Sequence, residues 1–131
     1  MRKLSINTTL NYSPNFDKNK RKPKEIKFLI LHYTGMKKEK DAINKLTNEK
    51  SKVSCHYFVK NNGEILTLVP DLYTAWHAGV SSWKNFKFLN KNSIGIEISN
   101  PGHENFYKKF SKKQINSILN LILFLIKKYK I

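Results

Sequence analysis

Arginine, acid and cysteine are all scarce in this chain, and each shortage excludes something. Among 25 basic residues only Arg2 and Arg21 are arginines, against nine acids, so the formal charge of +16 is almost entirely lysine. Arginine is the side chain whose planar fork reads phosphates and base edges. Scattered lysines with no nucleic-acid motif are read as a solvated surface, and nucleic acid is not expected as a partner. The single Cys55 excludes an internal disulfide. Met1-Arg2-Lys3 is followed by the polar stretch Ser5 to Asp17, with no apolar run, so no secretory signal is read. The cytoplasm is the default expectation, with the periplasm or cell envelope as the alternative. The apolar stretch Ile115 to Ile126 is twelve residues, where spanning a bilayer takes about twenty, so no transmembrane segment is expected.

What is present fits one domain of 131 residues, large enough for a core without covalent staples. Residues 1–25 are polar and read as an extended N-terminal arm, with the folded domain at 26–131. The expected fold class is α/β: a mixed β-sheet flanked by helices. Strands are predicted near 26–33, 53–60, 64–69 and 93–99, and helices near 38–48 and 112–128. Phe28-Leu29-Ile30-Leu31 reads as a strand covered on both faces. Asn61-Asn62-Gly63 lies between two β-rich runs and predicts a hairpin. Ala42, Ile43 and Leu46 share one helical stripe. Ser111-Lys112-Lys113-Gln114 has capping-box spacing. It opens a helix whose apolar stripe is Ile115, Ile118, Leu119, Ile122, Leu123 and Ile126, widened by Leu121, Phe124 and Leu125.

Residues suited to chemistry are few. His32 ends the first strand, where a ring is solvated on one side and held on the other, as a metal ligand needs. Taken alone, a His satisfying a backbone carbonyl explains it more simply. His56, among Tyr57, Phe58 and Val59, is read as a hydrogen-bonded core residue. Cys55 and His56 point to opposite faces of their strand. Pro70 to Asn92 is long, irregular and holds both tryptophans, which marks a functional loop. Within it Trp76, His77, Ala78 and Gly79 suit a wall that a ligand approaches closely, or an anchored loop. Glu97 sits on an Ile- and Gly-rich strand, where poor solvation raises a carboxyl pKa and fits it for proton transfer. Pairing with a lysine is the plainer reading.

In order along the chain, Leu31-His32-Tyr33-Thr34, Val53-Ser54-Cys55-His56-Tyr57, Leu68-Val69-Pro70, Ala75-Trp76-His77-Ala78-Gly79 and the run from Asn90 to Glu97 resemble zinc-dependent N-acetylmuramoyl-L-alanine amidases. Those enzymes share a fold with the peptidoglycan-recognition proteins. Ser13-Pro14-Asn15-Phe16 and Asn100-Pro101-Gly102-His103 match the same family.

The resemblance implies zinc-dependent hydrolysis of the amide between N-acetylmuramic acid and L-alanine, in peptidoglycan or muropeptides. It implies His32 as the first zinc ligand, Glu97 as general base, and Trp76 to Gly79 as the substrate groove. It also implies a second zinc histidine, a lysine and an aspartate after the long helix. Beyond Glu104 this sequence has no Asp, Glu or His. The domain is therefore expected to lack its C-terminal segment, and to be either an enzyme complemented by a second polypeptide, a non-catalytic binder, or an inactive remnant. Cys55 is expected to face the site by strand alternation, without family support as a ligand.

Overall fold

The computed structural model describes residues 5–131, so the first four residues of the expected arm lie outside it. The strands are β1 (Thr9–Leu10), β2 (Phe16–Asp17), β3 (Phe28–Tyr33), β4 (Tyr57–Val59), β5 (Ile65–Thr67), β6 (Thr74–Ala75), β7 (Ser82–Trp83), β8 (Phe86–Lys87) and β9 (Ser93–Ile98). The α-helices are α1 (Glu39–Thr47) and α2 (Lys112–Tyr129). Five strands form one sheet in the order β1-β5-β4-β9-β3. β4 and β5 are the expected hairpin, and every other pairing in that sheet is parallel. The arm is extended and joins the structure: β1 adds the far edge of the sheet, and β2 pairs with β6.

Strand alternation divides the core into two faces. On one, Tyr57, Val59, Ile65, Ile94, Ile96 and Ile98 pack against Leu121 and Leu125 of α2. On the other, Phe58, Leu66 and Leu68 pack against Ala42 and Leu46 of α1. Gly63, at φ +87° in the hairpin turn, lets the chain pass against the Lys113 backbone, where a Cβ would approach the Lys113 carbonyl to 2.8 Å.

Two expectations need correcting. β3 is an edge strand rather than one covered on both faces, and Leu31 and Tyr33 are exposed. Its apolar run reflects one packed side and one open groove, lined by Leu29, Leu31, Ile122 and Ile126. The buried stripe of α2 is also rotated. Gln114, Leu121 and Leu125 are buried with Ile118 packed beside them, while Ile115, Leu119, Leu123 and Ile126 are exposed. A helix apolar on nearly all sides does not encode which face meets the sheet; docking decides it. Ser111 Oγ caps α2 by accepting from the Gln114 N–H at 3.1 Å. The Gln114 side chain does not return the bond; it runs into the core and donates to the Ser99 carbonyl at 2.8 Å.

This orientation of α2 has a direct test. Leu125→Ala should cost about 2–5 kcal/mol of unfolding free energy through the cavity it leaves. Leu123→Ala, on the exposed side, should stay within about 0.5 kcal/mol of wild type. Urea melts of the two variants check both values, and equal losses would reverse the assignment of faces.

Candidate active site

The site begins with the register of two strands. β3 and β9 pair in parallel with His32 opposite Glu97, and Ile30 opposite Gly95. In-register residues share a face, and adjacent strands lie about 4.8 Å apart, so His32 and Glu97 are neighbours on the α1 side of the sheet. Glu97 lines a cleft of about 140 Å³ together with Thr34, Lys45, Ser54, Trp76 and His77. The strand reading of both residues holds, and so does their placement together.

The loop after β6 is fixed over this face by polar contacts that its composition did not advertise. Ser54 Oγ accepts from the Trp76 N–H at 2.9 Å and donates to the Asn15 carbonyl. Asn90 Oδ1 accepts from the backbone N–H groups of His77 (3.2 Å) and Ala78 (2.9 Å). Arg21 donates to the carbonyls of Asp71, Asn90 and Lys91, tying both ends of the loop together. The Trp76 indole N–H donates to Asp17. Ser54, Asn90 and Arg21 were present in the sequence, but the bonds they make cross 12 to 70 residues of chain and have no local pattern.

His77 lines the cleft and is also tied into the sheet. Its ring lies on the sheet face over Gly95, where any Cβ would overlap it. Its Nδ1 is 2.9 Å from His32 Nε2, and its Nε2 is 3.0 Å from Ser93 Oγ. Burial, with smaller contributions from His56, His32 and Arg21, pushes its pKa far down, so the ring is neutral. His32 is also lowered by burial. His56 is buried as expected: Nδ1 accepts from the Gly95 N–H and Nε2 donates to the Tyr73 carbonyl. Gly79 lies at the exposed end of the segment with φ +60°.

Burial pushes the Glu97 carboxyl up to about 7, against a smaller opposing pull from Lys45. Its Oε2 is buried and has no hydrogen-bond partner. A carboxyl held near neutrality with an unsatisfied oxygen is equipped to take a proton from a bound group. Cys55 lies on the same side of the sheet beside Glu97 but is fully buried, with its thiol pointed at the Tyr57 carbonyl. Burial raises its pKa well above normal, so no thiolate reaches the cleft. The expectation that Cys55 faces the site is thus corrected: Phe58, Leu66 and Leu68 with Ala42 and Leu46 enclose it. Among the described residues no cluster of three His, Cys, Asp or Glu is arranged to hold a metal ion.

The family profile of N-acetylmuramoyl-L-alanine amidases matches residues 22–131. The chain belongs to that amidase family. It is 36% identical over 118 residues to the N-acetylmuramoyl-L-alanine amidase AmiD of Escherichia coli, covering 81% of this chain and 42% of AmiD. It is 28% identical over 126 residues to the 1,6-anhydro-N-acetylmuramyl-L-alanine amidase AmpD of Haemophilus influenzae, covering 82% of this chain and 68% of that protein. Among solved structures, a selenomethionine AmpD derivative superposes with a TM-score of 0.75 at 25% identity, covering 94% of this chain and 75% of that one. E. coli AmiD in complex with anhydro-N-acetylmuramic acid-L-Ala-D-gamma-Glu-L-Lys gives 0.71 at 35% identity, over 82% and 45% of the two chains. The chain thus spans less than half the length of AmiD, and the shared part is the mixed sheet with its two helices.

Two measurements check the site. A Glu whose pKa rises from its ordinary value to about 7 on folding binds more protons folded than unfolded between those values. Its contribution to stability is therefore lost as pH rises through that window, about 3 kcal/mol in all. The buried histidines act with the opposite sign, so the readout is a difference. Glu97→Gln should gain stability relative to wild type between pH 4.5 and pH 8, and a flat difference would refute the shift. Gly95→Ala should cost about 1–3 kcal/mol by overpacking and displace the His77 ring, read as a lower midpoint in denaturant with shifted His77 ring resonances.

Proposed function

We propose that this chain carries the base and the first metal ligand of an N-acetylmuramoyl-L-alanine amidase acting on peptidoglycan or muropeptides. The observation that carries this reading is the pairing of His32 with Glu97 in one register, with a buried Glu97 oxygen left unpartnered beside the cleft. Family membership supports the reaction, and the muropeptide bound to AmiD, a relative of the same fold, supports the substrate class. In this reading Glu97 accepts a proton from the water that attacks the amide carbonyl. Trp76, His77, Ala78 and Gly79 form the substrate side of the cleft, with His77 at its floor.

The family's zinc does not fit the described residues as a self-sufficient site. His32 offers one nitrogen, Cys55 is sealed in the core, and no three-ligand cluster exists among the described residues. A catalytic zinc takes three protein ligands and leaves one position for water. Zinc chemistry in this reading draws its remaining ligands from outside the described residues. The same shortage favours a second reading, in which the groove binds muropeptide without cleaving it.

The deciding assay follows release of peptide from a muropeptide by the 131-residue chain with added zinc, alone and mixed with the C-terminal segment of a homologous amidase. The chain alone should stay near background. With the segment, turnover should be chelator-sensitive, abolished by His32→Ala and reduced about 10²–10⁴-fold by Glu97→Gln. Strong chelator-sensitive turnover by the chain alone would overturn the incomplete-site reading. Muropeptide binding with no turnover in either arrangement would establish the binder instead.

A further inference from the structure

We infer that His77 is a positioning residue: it fixes which nitrogen of His32 carries the proton and leaves His32 Nδ1 as the open electron pair. The inference rests on the reading of His32 as the ligand-bearing residue of the site, and follows from a count of donors and acceptors. Ser93 Oγ lies 2.6 Å from the Leu89 carbonyl, which only accepts, so the hydroxyl proton is committed there. Ser93 Oγ is then an acceptor toward His77 Nε2 at 3.0 Å, and that nitrogen carries the ring proton. A neutral imidazole has one donor and one acceptor, so His77 Nδ1 is left with its lone pair. At 2.9 Å it accepts from His32 Nε2–H. Only His32 Nδ1 remains unprotonated, and it makes no protein hydrogen bond among the described residues.

The relay is held by sheet geometry at each step. Ser93 and Gly95 lie on the same face of β9 as Glu97, and Ser93 supplies the terminal acceptor while Gly95 supplies the space under the His77 ring. Asn90 Oδ1 holds the His77 main chain from the other side through the N–H groups of His77 and Ala78. The ring is thereby pinned by Ser93 at one nitrogen and by its backbone at the other end. Metal-bound histidines commonly have their second nitrogen oriented by such a partner; here the partner is another imidazole, itself oriented by a hydroxyl.

The test uses the metal-free 131-residue chain with ¹⁵N-labelled histidine, so it is independent of substrate and zinc. Failure of the amidase assay leaves its outcome untouched, and the reverse holds too. In wild type a through-hydrogen-bond ¹⁵N–¹⁵N coupling should join His32 Nε2 to His77 Nδ1, with the proton attached to His32. Absence of the coupling, or a proton on His77 Nδ1, would overturn the inference, and this readout needs no variant to fold. In His77→Phe, with its fold verified by its amide spectrum, the protected His32 Nε2–H signal should be lost to solvent exchange. His77→Asn, whose Oδ1 occupies the place of Nδ1 as an acceptor, should restore it. Protection that survives in His77→Phe, or is not restored by His77→Asn, would show that the second ring is only filler.

Discussion

The parallel register between β3 and β9 is the constraint on which the site depends. It sets His32 beside Glu97 and Ile30 beside Gly95, and places all four on one face. Side chains alternate along a strand, so a slip of one residue would send His32 to the α2 side while Glu97 stayed behind. What prevents the slip is hydrophobic burial. Ile94, Ile96 and Ile98 fix the face of β9 against Leu121 and Leu125, and Leu29 of β3 packs on the same cluster, so the register of the site residues is inherited from the register of the core.

Burial also sets the proton affinity of Glu97. A carboxylate in this position loses hydration without a matching hydrogen bond at Oε2, and the compensation is a proton affinity near neutrality. Lys45 stands close enough to pull against this shift but not to cancel it. The same low-polarity surroundings keep His77 and His56 neutral, which lets each ring serve as one donor and one acceptor. Stability is given up at the carboxyl and recovered around it in the two apolar clusters.

The surface charge has little part in this arrangement. The lysines lie mostly outside the cleft, and Arg21, the one arginine among the described residues, is spent on three backbone carbonyls rather than on an anion. Its pKa is lowered to about 10 by burial, the mark of a structural cation that staples a loop. The arm follows the same logic: Asn15 donates to the carbonyls of Asn48 and Val53, so a polar segment becomes part of the wall behind Trp76. No helix among the described residues is long and apolar enough to cross a membrane.

The sequence by itself determined the four strands β3, β4, β5 and β9, the hairpin, both helices and the two residues of the pair, because periodicity, turn chemistry and a lone carboxyl among isoleucines are local signals; the two-residue strands of the arm and of the long loop had no such signal. Phe28 to Tyr33, Tyr57 to Val59 and Ser93 to Ile98 each appear as runs with β-type composition. Tertiary structure alone decided that β3 lies at an edge, that Leu121 and Leu125 rather than Leu119 and Leu123 face the sheet, and that Cys55 is sealed away from Glu97's cleft. It alone decided that the His77 ring lies over Gly95 within hydrogen-bond distance of His32. The reason is the same in each case. A side chain's type and spacing show which faces are available, but the partner that occupies a face lies tens of residues away, and only the packed chain brings the two together.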